Sequence, residues 1–241
     1  MGDKRPICTI VIPCYNYAHT LERALNSVKS QTVTNIECIV VDDGSSDNPK
    51  EVFDKVVGSD IRFKFLHKDN SGVADSRNSG VFSGTGKYVC CLDADDALAP
   101  EFLYACISYL EKDPTISIVY TGLYFYTPDG KEGLSTWPGE FDYDLQLEGK
   151  NQIPTCNVSR RIVWERLGGQ RQRYAPNGAG EEDAEMWLRS GAYGFRSKKV
   201  TDAGLFLYSW MSGRVSGNKQ HRMVDYRVWH PWTNDKRPPF I

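Results

Sequence analysis

Ile36-Glu37-Cys38-Ile39-Val40-Val41-Asp42-Asp43-Gly44-Ser45-Ser46-Asp47 is the stretch from which the fold can be read. Its first six residues are apolar and β-branched except at Glu37 and Cys38, the pattern of a buried strand. The next six are a dense turn cluster. Asn48-Pro49 follows, an N-cap with proline at the first helical position, and Val52, Phe53, Val56 and Val57 then share one helical face.

The same unit recurs on both sides. Upstream, Ile7 to Ile12 is a short apolar strand that ends at Pro13-Cys14-Tyr15-Asn16. Leu21, Ala24, Leu25 and Val28 then give a helix over 20–30, with Thr20 as its candidate N-cap. Downstream, Ile61 to Leu66 is a third strand and 72–83 a weaker helix. Tyr88 to Leu92 is a fourth strand, ending at Asp93-Ala94-Asp95-Asp96. Pro100 opens another helix, and Ile116 to Tyr126 is a further strand. This β-α-β-α order predicts an α/β fold with a mainly parallel central sheet and helices on both faces. In such sheets ligands sit beyond the carboxyl ends of the strands, so the three polar clusters should converge on one edge.

Beyond residue 127 the pattern is less regular. Residues 128–154 are rich in Gly, Pro, Asp and aromatics and read as a variable region. Short helices are expected over 160–170, ending at Gly168-Gly169, and over 181–190, with acids in the first turn where the helix dipole favours them. No repeat, low-complexity tract or linker calls for a second domain.

Composition limits the function. The 241 residues carry 29 Lys and Arg against 31 Asp and Glu, a net charge of −2. A general electrostatic grip on nucleic acid is therefore not expected. Charge is uneven, however: residues 196–241 are net +6 and the rest −8. This basic segment carries Trp210, Trp229 and Trp232, and suits either an anionic partner or a solvated tail packed back by its aromatics. The seven cysteines have no CxxC spacing, so they read as small buried hydrophobes in a reducing, cytoplasmic compartment. Neither a signal peptide nor a membrane span is expected, though peripheral membrane contact stays open.

Three acidic sites carry the chemistry. Asp93 and Asp95 form a DxD on a loop after a buried strand, hard oxygen ligands suited to Mg²⁺ or Mn²⁺. The plain alternative is helix capping, and a lone DxD is common by chance. Asp42 and Asp43 at a strand end can accept hydrogen bonds from a base or ribose, or simply close a turn. Asp183 and Trp187 lie at i and i+4 on a helix, where a large ring would desolvate the carboxylate and make it a better general base. An acid-decorated helix terminus is the commoner meaning of such a run. Gly84-Thr85-Gly86-Lys87 is not a P-loop, because it precedes a strand and Tyr88 stands where Ser or Thr is needed. No GxGxxG occurs, which counts against a dinucleotide dehydrogenase.

These motifs together resemble family 2 glycosyltransferases. The resemblance rests on Ile10-Val11-Ile12-Pro13-Cys14-Tyr15-Asn16, Val40-Val41-Asp42-Asp43-Gly44-Ser45-Ser46-Asp47, Asn70-Ser71-Gly72-Val73-Ala74 and Ser76-Arg77-Asn78-Ser79-Gly80. It continues through Leu92-Asp93-Ala94-Asp95-Asp96, Leu167-Gly168-Gly169 and Glu182-Asp183-Ala184-Glu185-Met186-Trp187. It implies the GT-A fold, a Rossmann-like single domain over 1–215. The nucleotide-sugar half would span about 6–112 and the acceptor half about 113–215, with a basic aromatic extension over 216–241. It implies a nucleoside pocket of Pro13, Tyr15, Asn16, Asp42 and Asp43, with Gly72, Arg77, Asn78, Asp93 and Ala94 near the nucleotide. Asp95, with Asp93, would hold Mn²⁺ or Mg²⁺. Asp183 would be the catalytic base, with Glu182, Trp187 and Gly169 on the acceptor side.

The activity implied is metal-dependent, inverting transfer of one sugar from a nucleotide-sugar donor, most often UDP-linked. The acceptor would be a glycan, a lipid-linked sugar or a protein. The family's histidine loop near the diphosphate is replaced here by Tyr208 to Ser216, leaving Arg214, Lys219 or His221 as candidates for that contact. Without the membrane helices of processive synthases, non-processive transfer is expected. A silent nucleotide-sugar-binding module is the alternative, and a sugar-nucleotide pyrophosphorylase a weaker one, since Pro13 to Tyr17 is not a basic, Gly-rich phosphate loop.

Overall fold

The computed structural model describes residues 5–127, 129–171 and 182–210. Strand β1 (Cys8–Cys14) and strand β2 (Ile36–Asp42) are buried along their whole lengths. That explains their near-continuous apolar character, because a strand covered on both faces has no polar side. Helix α1 (Ala18–Lys29) joins them, and helix α2 (Pro49–Val57) leads to β3 (Phe63–His67). Helix α3 (Val73–Ser83), β4 (Tyr88–Cys91), the two-residue β5 (Ala97–Leu98) and helix α4 (Phe102–Lys112) complete the first half.

The second half holds β6 (Ile116–Tyr126), β7 (Glu132–Leu134), helix α5 (Tyr143–Leu147) and β8 (Val158–Arg160). Helix α6 (Arg161–Leu167), helix α7 (Glu182–Ala192) and β9 (Arg196–Ser209) follow. One sheet runs in the order β3-β2-β1-β4-β8-β6-β9-β5, with β7 added to β6. The β3-β2-β1-β4 part is wholly parallel. Beyond it, β8 lies antiparallel to both β4 and β6, whereas β9 runs parallel to β6 with several register shifts.

Helices cover both faces, as the alternation along β1 requires. Ile10 and Ile12 pack with Leu21 and Leu25 of α1, Phe53 of α2 and Phe102 of α4. Val11 packs on the other side with Val81 of α3, Trp164 of α6 and Trp187 of α7. Gly80 lets α3 approach closely, for a Cβ there would run into the Val11 side chain. All seven cysteines are buried and unbridged, as expected of small hydrophobes. Among the described residues no helix is long and apolar enough to cross a membrane.

Boundaries differ from expectation where backbone groups decide them. Helix α1 begins at Ala18 rather than after Thr20, with Tyr17 in the cap position. The Thr20 hydroxyl instead donates to the Tyr17 carbonyl at 3.1 Å. Helix α4 starts two residues after Pro100, whose carbonyl accepts from Thr32 N–H at 3.0 Å. Strands β5, β8 and β9 had no counterpart in the sequence pattern.

Candidate active site

The carboxyl ends of β1, β2 and β4 meet at one edge, where β1 lies between β2 and β4 and the chain order reverses. A cleft of about 1500 Å³ opens there. Of the residues singled out from sequence, it is lined by Pro13, Tyr15, Asp43, Gly72, Arg77, Asp93, Ala94, Asp95, Glu182 and Asp183. Asn16, Asp42, Asn78, Gly169 and Trp187 are not among its lining residues.

Those five have structural partners instead. Asn16 takes a left-handed conformation (φ 58°), and its side-chain oxygen accepts from the Ser46 N–H at 2.8 Å. Asp42 is buried, accepting from Ser45 N–H at 3.0 Å and meeting His67 Nδ1 at 2.8 Å. Asn78 both accepts from the Gln170 N–H and donates to the Gln170 carbonyl, each at 2.8 Å. A Cβ on Gly169 would collide with that same Asn78 side chain. Trp187 is packed in the core below α3 and α6.

Asp43 is the β2-end carboxylate that faces the cleft. It accepts from Lys68 Nζ at 2.7 Å, Ser71 N–H at 3.0 Å and Gly72 N–H at 2.8 Å. Burial alone would raise its pKa, but these donors overcome that effect and hold it below the ordinary value. The Asp43 charge therefore fixes the 68–72 loop against the end of β2.

Arg77 organises the centre. This buried side chain donates from Nη2 to Asp93 at 2.8 Å and from Nη1 to Glu182 at 2.7 Å. A third bond runs to Gln170 Oε1 at 3.1 Å. Burial disfavours its charge, but Asp93 and Glu182 reverse that and keep it firmly protonated. The guanidinium thus joins the β4-end loop to the first turn of α7, a link no sequence spacing reveals.

Asp183 follows directly. Its Oδ2 accepts from the Thr155 hydroxyl and its Oδ1 from Ala184 N–H, both at 2.7 Å. Burial, reinforced by the neighbouring Glu182 charge, raises its pKa to about 6. Thr155 and Arg77 pull the other way. The result is a carboxylate ionised at neutral pH yet more basic than an ordinary one, the poise a general base needs. The direction is the one expected of a desolvated carboxylate, with the Glu182 charge adding to it. Nothing in the sequence pattern singled out Thr155.

Asp95 lines the cleft close to the sheet. Its carbonyl accepts from Arg23 and, at 3.3 Å, from the Tyr126 hydroxyl. The Arg23 guanidinium lies 4.4 Å above the Tyr126 ring. Asp96 is buried and accepts from Ser209 N–H at 2.9 Å, which stitches the loop to β9. Burial, and then the Asp93 charge, push its carboxyl pKa well up. Among the described residues no group of three His, Cys, Asp or Glu side chains forms a closed metal cage. Mg²⁺ and similar ions are commonly held by one or two carboxylates plus substrate phosphates, and Asp93 with Asp95 fits that donor set. Arg214, Lys219, His221 and the Trp229–Trp232 segment lie outside the described residues.

Solved structures share this architecture. A Staphylococcus aureus TarS fragment (residues 1–349) in complex with UDP-GlcNAc matches with a TM-score of 0.72 at 16% identity, covering 92% of this chain and 63% of that one. A mannosyltransferase from Pyrobaculum calidifontis in complex with GDP-Man and Mn²⁺ gives 0.63 at 21% identity, covering 85% and 57%. The fold is therefore GT-A.

The family model described as "Glycosyl transferase family 2" matches residues 9–167, and the chain belongs to that family. A Pasteurella multocida hyaluronan synthase is 38% identical over 128 residues, and an Escherichia coli chondroitin synthase 32% over 116. These matches take in 53% and 48% of this chain but 13% and 17% of the two synthases.

Proposed function

We propose that the protein transfers a single sugar, with inversion, from a UDP-linked donor to an acceptor hydroxyl, with Asp183 as the base. The observation that carries this reading is the Asp93–Arg77–Glu182 bridge, which sets a base-like carboxylate and a strand-end DxD in one cleft. The Asp183 carboxylate takes the acceptor O–H proton as the oxygen attacks the anomeric carbon. The bond from that carbon to the diphosphate oxygen breaks, and its electron pair leaves with UDP. One base suffices for such a single displacement, unlike the paired carboxylates of glycoside hydrolases.

Asp95 and Asp93 would hold Mn²⁺ or Mg²⁺, which as a Lewis acid neutralises charge on the departing diphosphate. Pro13, Tyr15, Asp43 and Gly72 bound the nucleoside end. Arg77 is a positioning residue in this scheme, because both ends of its guanidinium are spent on Asp93 and Glu182. Asn78 and Gly169 brace the 169–170 turn beside the cleft.

Thermal-shift measurements with UDP-sugars, in Mn²⁺ or in EDTA, test the proposal on the wild type and Asp95→Ala. A ligand that binds only the folded state raises its melting temperature by mass action. Stabilisation by a UDP-sugar that needs Mn²⁺ and is lost in Asp95→Ala is the expected result. No stabilisation by any nucleotide sugar would refute it.

A further inference from the structure

Beside the Asp93–Asp96 loop the cleft is floored by alternate residues of two parallel strands. Phe206 and Tyr208 of β9, followed by Trp210, point into it, beside Leu123 and Phe125 of β6. The three β9-side rings form a continuous edge-to-face row, with centroids 5.9 Å apart from Phe206 to Tyr208 and 6.0 Å from Tyr208 to Trp210. Exposure rises along the row from 3% at Phe206 to 51% at Trp210, so its outer end presents aromatic surface to solvent. Trp137 also lines the cleft, its indole N–H held by the Asn151 carbonyl at 2.9 Å.

We propose that this row is an acceptor subsite for a neutral saccharide, with Trp210 and Trp137 as its stacking platforms. This rests on the transferase reading above and names the acceptor class for that site. Aromatic rings offer wide, rigid contact area of mixed character. A pyranose presents C–H bonds on its faces and hydroxyls around its rim, so it matches ring platforms in a cleft that Asn151 and Thr155 also line. Thr155 also bonds Asp183, and the row and the base line the same cleft.

Charge argues in the same direction. Lys131, the ammonium lining the cleft, is paired with Asp129 at 2.9 Å, while Glu182 and Asp183 add negative charge to its lining. A phosphate-rich acceptor would find no unpaired cation among these described residues.

A printed array of neutral oligosaccharides, probed with the full chain in saturating UDP and Mn²⁺, tests this. Wild type should be retained on at least one neutral glycan. Trp210→Ala and Trp137→Ala should each weaken that retention at least tenfold, and Trp210→Phe should restore most of it. Retention on no neutral glycan, or retention unchanged in both alanine variants, overturns the subsite. The UDP thermal shift is read on the same preparations. If it persists while array binding fails, only the subsite is lost; if it is absent from the wild type, the transferase reading falls as well.

Discussion

The two ends of the cleft are built differently. At the nucleotide end, the lining loops hang from parallel strands, and their backbones are pinned to one another. Asp43 N–H donates to the Cys14 carbonyl at 2.9 Å, and Lys68 N–H to the Asp42 carbonyl at 3.0 Å. At the other end, the lining comes from side chains on β6, β9, the 129–155 segment and α7, brought together across long stretches of chain. The first end is fixed by strand geometry; the second depends on individual side-chain contacts such as Thr155 to Asp183. Substitutions should therefore separate the two ends by what they disturb.

The largest effect is expected at Asp183. Asp183→Asn should lower transfer by about 10²–10⁴-fold, the usual worth of a general base. UDP stabilisation should survive, because the nucleotide end is built independently; loss of both would break the comparison. The same residue sets two pH dependences. Transfer should fall as pH drops through about 6, where Asp183 takes up a proton. Its pKa is raised from 3.8 to about 6, so the folded state binds the extra proton in that window. Stability should then decline as pH rises from about 4 to about 6. Asp183→Asn should flatten that part of the urea-denaturation profile.

Arg77→Ala comes next, because it removes a cation that pairs with Asp93 and Glu182. Losing one member of a buried ion pair costs about 3 kcal/mol or more. The lower figure applies here, since the Asp93 side chain is 33% exposed and can be hydrated. A shift in the urea midpoint measures it, and Arg77→Lys should recover only part, lacking the fork that spans Asp93 and Glu182.

Glycine substitutions give the smallest effects and the sharpest contrast. At Gly86, a Cβ would meet backbone of the adjacent β1, with the Cys8 carbonyl carbon at 2.6 Å. Gly86→Ala should cost about 1–3 kcal/mol by overpacking. At Gly139, in the less regular segment, nothing lies within 4 Å of the added carbon. Gly139→Ala should stay within about 0.5 kcal/mol of wild type. Equal melting-temperature losses for the two would show that the regions are packed alike.

The same division decides what was legible in the sequence. β1, β2 and β4 announce themselves because strands buried on both faces are unbroken apolar runs, and their ends carry visible acidic turns. The convergence of Pro13, Asp43 and Asp93 followed from parallel topology alone. β8 and β9 did not announce themselves. β8 has three residues, and β9 is mostly half-buried, with Lys198, Lys199 and Thr201 interrupting any clean alternation. Asp183 was legible as an acid in a helix, but its partner Thr155 sits in an ordinary loop with no distinguishing neighbours. Asp42 and Asn78 were singled out by their place in motifs, and both prove to hold loops in shape. Motif membership alone does not separate a residue that touches a ligand from one that shapes the loop beside it.

Arg77 also has a consequence for recombination. Residues 77, 93 and 182 come from α3, the loop after β4, and α7, yet they share a single buried charge. A chimera that joins the first 112 residues of this chain to the second half of a relative keeps Asp93 but takes the second counter-charge of Arg77 from a different parent. Grafts that retain an acid at 182 should be tolerated, while those that do not leave a buried guanidinium half-neutralised. Across the cleft, Trp137 and Trp210 are not among the partners of this charge, so their platform can be exchanged without touching it. Acceptor preference and the integrity of the joint between halves can therefore be engineered separately.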